Sequence, residues 1–459
     1  MNTRCCGQVS PDEIASDGIP RSRRASPDPQ AARRGLPTPL RWLPALMLLA
    51  AVFNPLVHGQ EQSPETVPGT PEVTPEVAPA PEPSSPLPSY TGTQVVSSLA
   101  PAPGAPPTAP QLQWGPFGVQ PHLLYRFLYG NGVQATPGET VNTAINSLAP
   151  GVQFNLGDRW NLDYTAIKTL YSNRRFQDSL DHAAYLTGTT TYEDWGFQFS
   201  QNYASTTDPL VETGQQTSQR AFATAFRVTR GLGNRMRIEV GVNRNVLIVD
   251  GAPDSREYAN QNWVHYQWIQ GLDTAAGLVF GYVDVDPGPN MTYVRPMLRL
   301  GWRATPAISS DVQAGVERRS INRPGAGRLS NTVLSASLRY RPLDTTSLAL
   351  QVSRDVAAAY FTDQVTQNTR WSINFDQRLL GELQLSASYA HQKVGYISTS
   401  GNLPGLRDDK YDSFSLRLST VVLRRVTVTA LYQDNRNSSD LAGFGFSSHQ
   451  TGFEIGYRY

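Results

Sequence analysis

Thr451-Gly-Phe-Glu-Ile-Gly-Tyr-Arg-Tyr459 closes the chain, and its reading decides the fold. Side chains of an extended strand alternate between two faces. Thr451, Phe453, Ile455, Tyr457 and Tyr459 therefore share one face, and Gly452, Glu454, Gly456 and Arg458 the other. Such a strand needs apolar surroundings on one side and water on the other.

The same alternation runs back through the preceding three hundred or so residues, in segments of about ten to thirteen residues, close to one bilayer crossing. Trp160-Asn-Leu-Asp-Tyr-Thr-Ala166, Ser347-Leu-Ala-Leu-Gln-Val-Ser353, Arg370-Trp-Ser-Ile-Asn-Phe-Asp376 and Glu382-Leu-Gln-Leu-Ser-Ala-Ser-Tyr389 are clear cases. One parity holds Leu, Val, Ile, Phe, Trp or Tyr; the other holds Gln, Ser, Asn, Arg, Asp or Gly. The count is about eighteen strands (16–18), which predicts an all-β, transmembrane, antiparallel up-and-down barrel. A terminal aromatic on the last strand resembles the C-terminal assembly signal of bacterial outer-membrane barrels, carried here by Phe453, Ile455, Tyr457 and Tyr459.

The connections support this. Short turns fall at 157–159, 231–234, 271–273, 304–306, 341–344 and 379–381, and use residues suited to tight reversal. Longer polar stretches at 130–143, 205–216, 250–257, 322–329, 357–365, 397–409 and 436–446 read as loops. Alternating short and long connections suit a barrel with short periplasmic turns and longer outer loops. An even strand number brings both ends of the barrel domain to the periplasmic side. A soluble β-sandwich or propeller shares the alternation. Against it stand the regular strand length and the aromatics near strand ends (Trp160, Trp195, Trp268, Trp302, Tyr340), where an interfacial girdle belongs.

Composition agrees. The chain has 459 residues, a formal charge of +1, and only three lysines, Lys168, Lys393 and Lys410. Near-neutrality argues against nucleic acid as a partner. After residue 60 no run approaches the roughly 20 apolar residues of a spanning helix. The one strongly apolar run, Trp42 to Val57, follows Arg33, Arg34 and Arg41 and precedes Gly59, the layout of a secretory signal peptide. Residues 1–59 are thus expected to be a leader with signal peptide, and residues 114–459 an outer-membrane barrel. Cys5 and Cys6 both fall in the leader. Residues 60–113, rich in Pro with interspersed Glu, should form a disordered periplasmic tether, because they bury too little apolar surface to offset their ordering entropy.

The stretch Arg295-Pro-Met-Leu-Arg-Leu-Gly-Trp-Arg303, continuing through Leu338-Arg-Tyr-Arg-Pro-Leu-Asp-Thr-Thr-Ser-Leu-Ala-Leu350 to Tyr389, resembles the type-2 outer-membrane β-barrel porins. That group includes barrels found with exopolysaccharide biosynthesis genes, and the resemblance implies a pore or export role without catalytic residues.

Chemistry-bearing motifs are few. The barrel histidines His122, His182, His265, His391 and His449 make no pair at metal-ligand spacing, and the barrel has no Cys. Ser448-His449 and Ser388 with His391 lack a supporting acid in any known motif. No enzyme, cofactor or metal is expected. If the apolar parity faces lipid, the lumen receives Arg126, Arg227, Arg235, Arg237, Arg295, Arg299, Arg303, Arg339, Arg370, Arg378, Arg417, Arg425 and Arg458. The inward acids are Asp163, Glu239, Asp311, Glu317, Asp376 and Glu454. Charged rings set pore selectivity, and the guanidinium fork matches carboxylate and phosphate. The lumen is expected to favour small anions or an acidic glycan. The opposing expectation is that these arginines pair with acids across strands and merely complete the wall. Arg295, Arg299 and Arg303 form a stripe roughly 26 Å long at about 3.3 Å per residue, able either to guide polyanions or to pair with Glu317 and Asp311.

The functional expectation is a porin-like pore for passive or accessory passage of polar or anionic solutes or glycans. The alternative is a non-conducting outer-membrane scaffold or accessory subunit of an exopolysaccharide secretion system. Partners implied are outer-membrane lipid, barrel-assembly machinery and polysaccharide or secretion-complex proteins, with a homo-oligomer left open.

Overall fold

The computed structural model describes residues 112–157, 159–323, 327–399 and 407–459. The leader and the Pro-rich segment up to residue 111 lie outside the described residues. In chain order the strands are β1 (Leu112–Trp114), β2 (Phe117–Thr136), β3 (Glu139–Leu156), β4 (Trp160–Tyr171), β5 (Ser179–Tyr192), β6 (Trp195–Leu210) and β7 (Gln215–Leu232). There follow β8 (Met236–Val249), β9 (Asp254–Ile269), β10 (Leu272–Asp286), β11 (Met291–Thr305), β12 (Ile308–Ile321) and β13 (Arg328–Leu343). The last are β14 (Thr346–Ala358), β15 (Gln364–Leu379), β16 (Leu383–Ser398), β17 (Arg407–Val422), β18 (Val426–Ser439) and β19 (Phe446–Arg458).

Each strand from β2 to β19 is antiparallel to the next, and β19 returns to β2 with Glu454 opposite Arg126 and Phe453 opposite Phe127. The sheet is a closed barrel of eighteen strands. Closure gives every strand a partner on both sides, which a bilayer demands because it offers no water to bond a free edge. β1 is a short addition, hydrogen-bonded to the start of β2. Its residues Leu112 and Gln113 are the last two of the segment read as tether.

The apolar parity lies outside. Leu298, Val242, Val264, Phe280 and Phe226 are among its exposed members. Trp160 and Trp195 open their strands, while Trp268, Trp302 and Tyr340 lie near the ends of theirs. All five stand at the end of the barrel with the short turns, where amphipathic rings suit a membrane interface. Trp195 also carries the Arg230 guanidinium 4.8 Å above its ring.

Two differences from the sequence reading stand out. Strands β2 to β19 run from 12 to 20 residues, most of them longer than the expected segments. Much of what reads as loop is strand: the connection expected over 130–143 is a turn at 137–138, and that over 205–216 is a turn at 211–214. Hairpins rising beyond hydrocarbon keep their ladder bonds but lose the need for an apolar face, so composition there looks like loop while the backbone stays paired. The connections at one end still span only two or three residues, against up to eight at the other.

The second difference concerns the inward face. From β9 to β15 it carries a packed apolar cluster including Trp263, Val279, Val283, Met291, Tyr293, Met297, Val333 and Val365. Inward does not mean polar along this arc. Side chains here are covered by other side chains rather than by water.

Candidate functional site

Contacts between strands that are not neighbours identify the interior. The Tyr360 hydroxyl, in the β14–β15 connection, donates to Gln219 Oε1 of β7 at 3.1 Å. Gln219 therefore faces inward. Since Arg227 lies eight residues along the same strand, it shares that face.

Two segments enter the long-connection end. The β6–β7 tip, residues 211–214, reaches Arg407 at the start of β17, which stands nearly opposite on the ring. Arg407 Nη1 donates to the Glu212 carbonyl at 2.9 Å and Nη2 to that of Val211 at 3.4 Å. The same guanidinium grips Asp409 in a two-pronged pair and lies 3.7 Å from the centre of the Phe444 ring. Glu212 is buried, and burial pushes its carboxyl up to about 7, opposed by nearby Arg407 and assisted by Asp409. The second segment is Ala359-Tyr-Phe361. Tyr360 packs with Leu210 and Val249 on one side, while Ala359 and Phe361 pack with Val394 and Tyr396 on the other. Together they narrow the mouth.

Three tips meet above this constriction. A Cβ on Gly138 would stand 2.9 Å from the Gly443 carbonyl oxygen, and one on Gly214 3.0 Å from Pro137 Cα. Both glycines have positive φ, at +79 and +67. Only glycine meets both conditions without strain.

Deeper, the inward charges form three clusters. In the first, Glu317, with no exposed surface, is gripped by Arg295 and by Arg319 Nε at 2.7 Å. Arg319 also donates to the Val356 carbonyl at 3.1 Å, and Tyr293 donates to Glu257 beside them. In the second, Arg126 of β2 pairs with buried Glu454 of β19, and Arg417 lies 3.7 Å from the same carboxylate. In the third, Glu239 lies 3.2 Å from Arg227 and 3.4 Å from His265, while Asp273 lies 3.3 Å from His265 and 3.4 Å from Arg237.

The β11 stripe is therefore divided by its surroundings. Arg295 is in an ion pair, Arg299 lies 4.5 Å over the Trp263 ring and reaches Gln313, and Arg303 is exposed. Arg339 stands opposite Ser309, as Arg303 does, on the inward face of β13. Arg370, Arg378 and Asp376 share the inward face of β15, where Asp376 accepts from Ser386 at 2.6 Å. Arg458 stands opposite His122, and Asp163 opposite Gln153. Asp311, opposite Ser337, faces inward on β12. Arg235 and Arg425 are a correction: both sit in short turns, outside the strands, and Arg425 lies 4.3 Å over the Tyr459 ring. His391 and His449 face outward at the long-connection end, each 2.8 Å from an acid, Asp412 and Asp434. Among the described residues no three acids, histidines or cysteines gather as a metal would require.

The residues missed by sequence reading are Glu212, Tyr360, Arg407, Asp409 and Arg319. The first four lie in stretches that read as loop, where parity assigns no face. Arg319 does share parity with Glu317 on a clear strand, and that signal was available.

Among solved structures, the chain resembles OpdL of Pseudomonas aeruginosa, at 13% identity and TM-score 0.40 over 75% of this chain and 98% of that one. It also resembles OccAB3 of Acinetobacter baumannii, at 9% identity and TM-score 0.40 over 75% and 99%. OccK2 of P. aeruginosa, solved in complex with glucuronate, shows 11% identity and TM-score 0.40 over 74% and 97%. Among curated proteins, none matches the chain by sequence. Residues 299–459 match the family described as "Putative beta-barrel porin 2", and the described residues form the closed eighteen-stranded antiparallel β-barrel.

Proposed function

We propose that the barrel passes small polar solutes with a preference for anions, through a lumen narrowed on its outer side. One observation carries this reading. Arg303, Arg339, Arg370 and Arg378 face inward, are exposed, and form no ion pair among the described residues. Fixed cations in an aqueous passage raise the local concentration of anions and repel cations. The paired arginines, Arg126, Arg295 and Arg319, contribute wall structure instead.

The constriction favours a second reading, a closed barrel acting as scaffold or accessory subunit for polysaccharide secretion. Reconstitution in a planar bilayer under a KCl gradient separates the two. A reversal potential of the anion-selective sign supports the pore. Cation selectivity overturns the anion preference. Absence of conductance, together with loss of surface polysaccharide on gene deletion, supports the scaffold.

A further inference from the structure

We propose that the outward face of β12 and β13, at the long-connection end, binds a phosphorylated lipid of the outer leaflet. In the β12–β13 ladder Arg318 stands opposite Ser330, and Ser320 opposite Arg328. Both arginines therefore point outward on a diagonal, a spacing of roughly 7 Å between neighbouring strands. Both are exposed. Each has a serine hydroxyl directly across from it, and Arg354 of β14 shares their face farther along. No carboxylate occupies the outward parity of β11, β12, β13 or β14. The acid in the nearby β14–β15 connection, Asp363, is engaged by Arg323 at 2.6 Å. Guanidinium forks with adjacent hydroxyls are the donor set that recognises phosphate.

What lies beneath is equally particular. Val294 and Val316 are exposed on the same face, and Leu298 is 68% exposed farther toward the short-turn end. A ligand seated here meets cations at its head and aliphatic wall along its tail, the description of an anionic lipid.

The wall itself marks the headgroup level. β13 pairs with β14 only from Leu334 onward, opposite Arg354. Arg328–Val333 thus have no partner strand on that side, while β14 turns inward to give its Val356 carbonyl to Arg319. Unpaired backbone is not tolerated in hydrocarbon, so this notch sits among polar headgroups. Strands farther round the wall offer a contrast. On β16–β19, Lys393 lies 3.6 Å from Asp408, and His391 and His449 each face an acid at 2.8 Å. Those three side chains already face carboxylates.

The test uses the purified full chain in neutral detergent, titrated with bis-phosphorylated lipid A and with its dephosphorylated form, read by native mass spectrometry. Wild-type protein should hold the phosphorylated lipid about ten-fold more tightly or better, given about 1 kcal/mol per basic residue near an anionic surface. Arg318→Gln with Arg328→Gln should lose that margin, and Lys393→Gln with Lys410→Gln should keep it. Heat-modifiable migration on a gel verifies folding of each variant. Equal binding of both lipids by wild type overturns the proposal without recourse to any variant. So does an unaffected Arg318/Arg328 variant, an equal loss in the Lys393/Lys410 variant, or displacement of the lipid by inorganic phosphate at matching concentration.

Discussion

Arg407 holds the Glu212 carbonyl at 2.9 Å across the barrel, although 195 residues separate them in sequence. With the packing of Leu210 against Tyr360 and Val249, this bond holds the hairpin tip inside. Replacing Arg407 with Ala strands buried Asp409 and frees the Val211 and Glu212 carbonyls. Loss of one partner from such a buried pair costs about 3–5 kcal/mol locally. The expected outcome is a several-fold rise in single-channel conductance with the barrel still folded. Conductance identical to wild type would show that the tip does not obstruct the passage.

Glu212 should make that obstruction depend on pH. Its carboxyl is raised to about 7 from an ordinary 4.5, so the folded, inward tip binds the proton more tightly than the released one. The stabilisation is complete below about 4.5 and is lost as pH rises through about 7. Burial sets this shift; a backbone hydrogen bond and Arg407 favour ionisation, and Asp409 opposes it. Conductance should therefore increase from pH 6 toward pH 8 (about one unit either side of the midpoint). Glu212→Gln should flatten the profile at its low-pH level; a variant that keeps the wild-type profile removes Glu212 from the explanation.

Glu317 sits with no exposed surface between Arg295 and Arg319. Glu317→Ala leaves two inward cations facing each other beside an apolar cluster. A loss of about 3–5 kcal/mol is expected in detergent-solubilised unfolding by urea. A shift below about 1 kcal/mol, the level of an exposed pair, would mean that water reaches the triad.

The two faces of the wall can be compared directly. Leu298 is 68% exposed on the outside of β11, and Ser335 is exposed on the inward face of β13. Leu298→Arg should cost about 2–4 kcal/mol in a bilayer, falling toward zero only if the site lies at the interface. Ser335→Arg should be nearly neutral in stability while adding to anion preference. Reversal of that order in vesicle-folded protein contradicts the assignment of the faces.

The strand alphabet made the barrel legible because every mid-membrane residue answers to one of two solvents. Phe453 against Glu454 already states the rule, and their partners Phe127 and Arg126 repeat it across the closing seam. Arg295 and Glu317 were legible as neighbours for the same reason. The mouth was not. Tyr360, Glu212 and Arg407 lie in hairpin ends that no lipid-facing side obliges to alternate, and they are buried by contacts that join segments far apart in the chain. The inward valines and Trp263 were hidden for another reason: no local pattern records that side chains from elsewhere will cover them.

Gly138, Gly214, Gly443 and Pro137 touch one another at the summit. Epitope tags or display peptides grafted at these hairpin apices would have to pry apart a crowded keystone. The seven-residue connection between β4 and β5, 172–178, is no freer: Gln177 exchanges hydrogen bonds with Gln216 of β7, and Phe176 is buried with Leu128, Ile145 and Leu431. Engineering access to this barrel from outside is therefore a question of choosing the right hairpin rather than the longest strand.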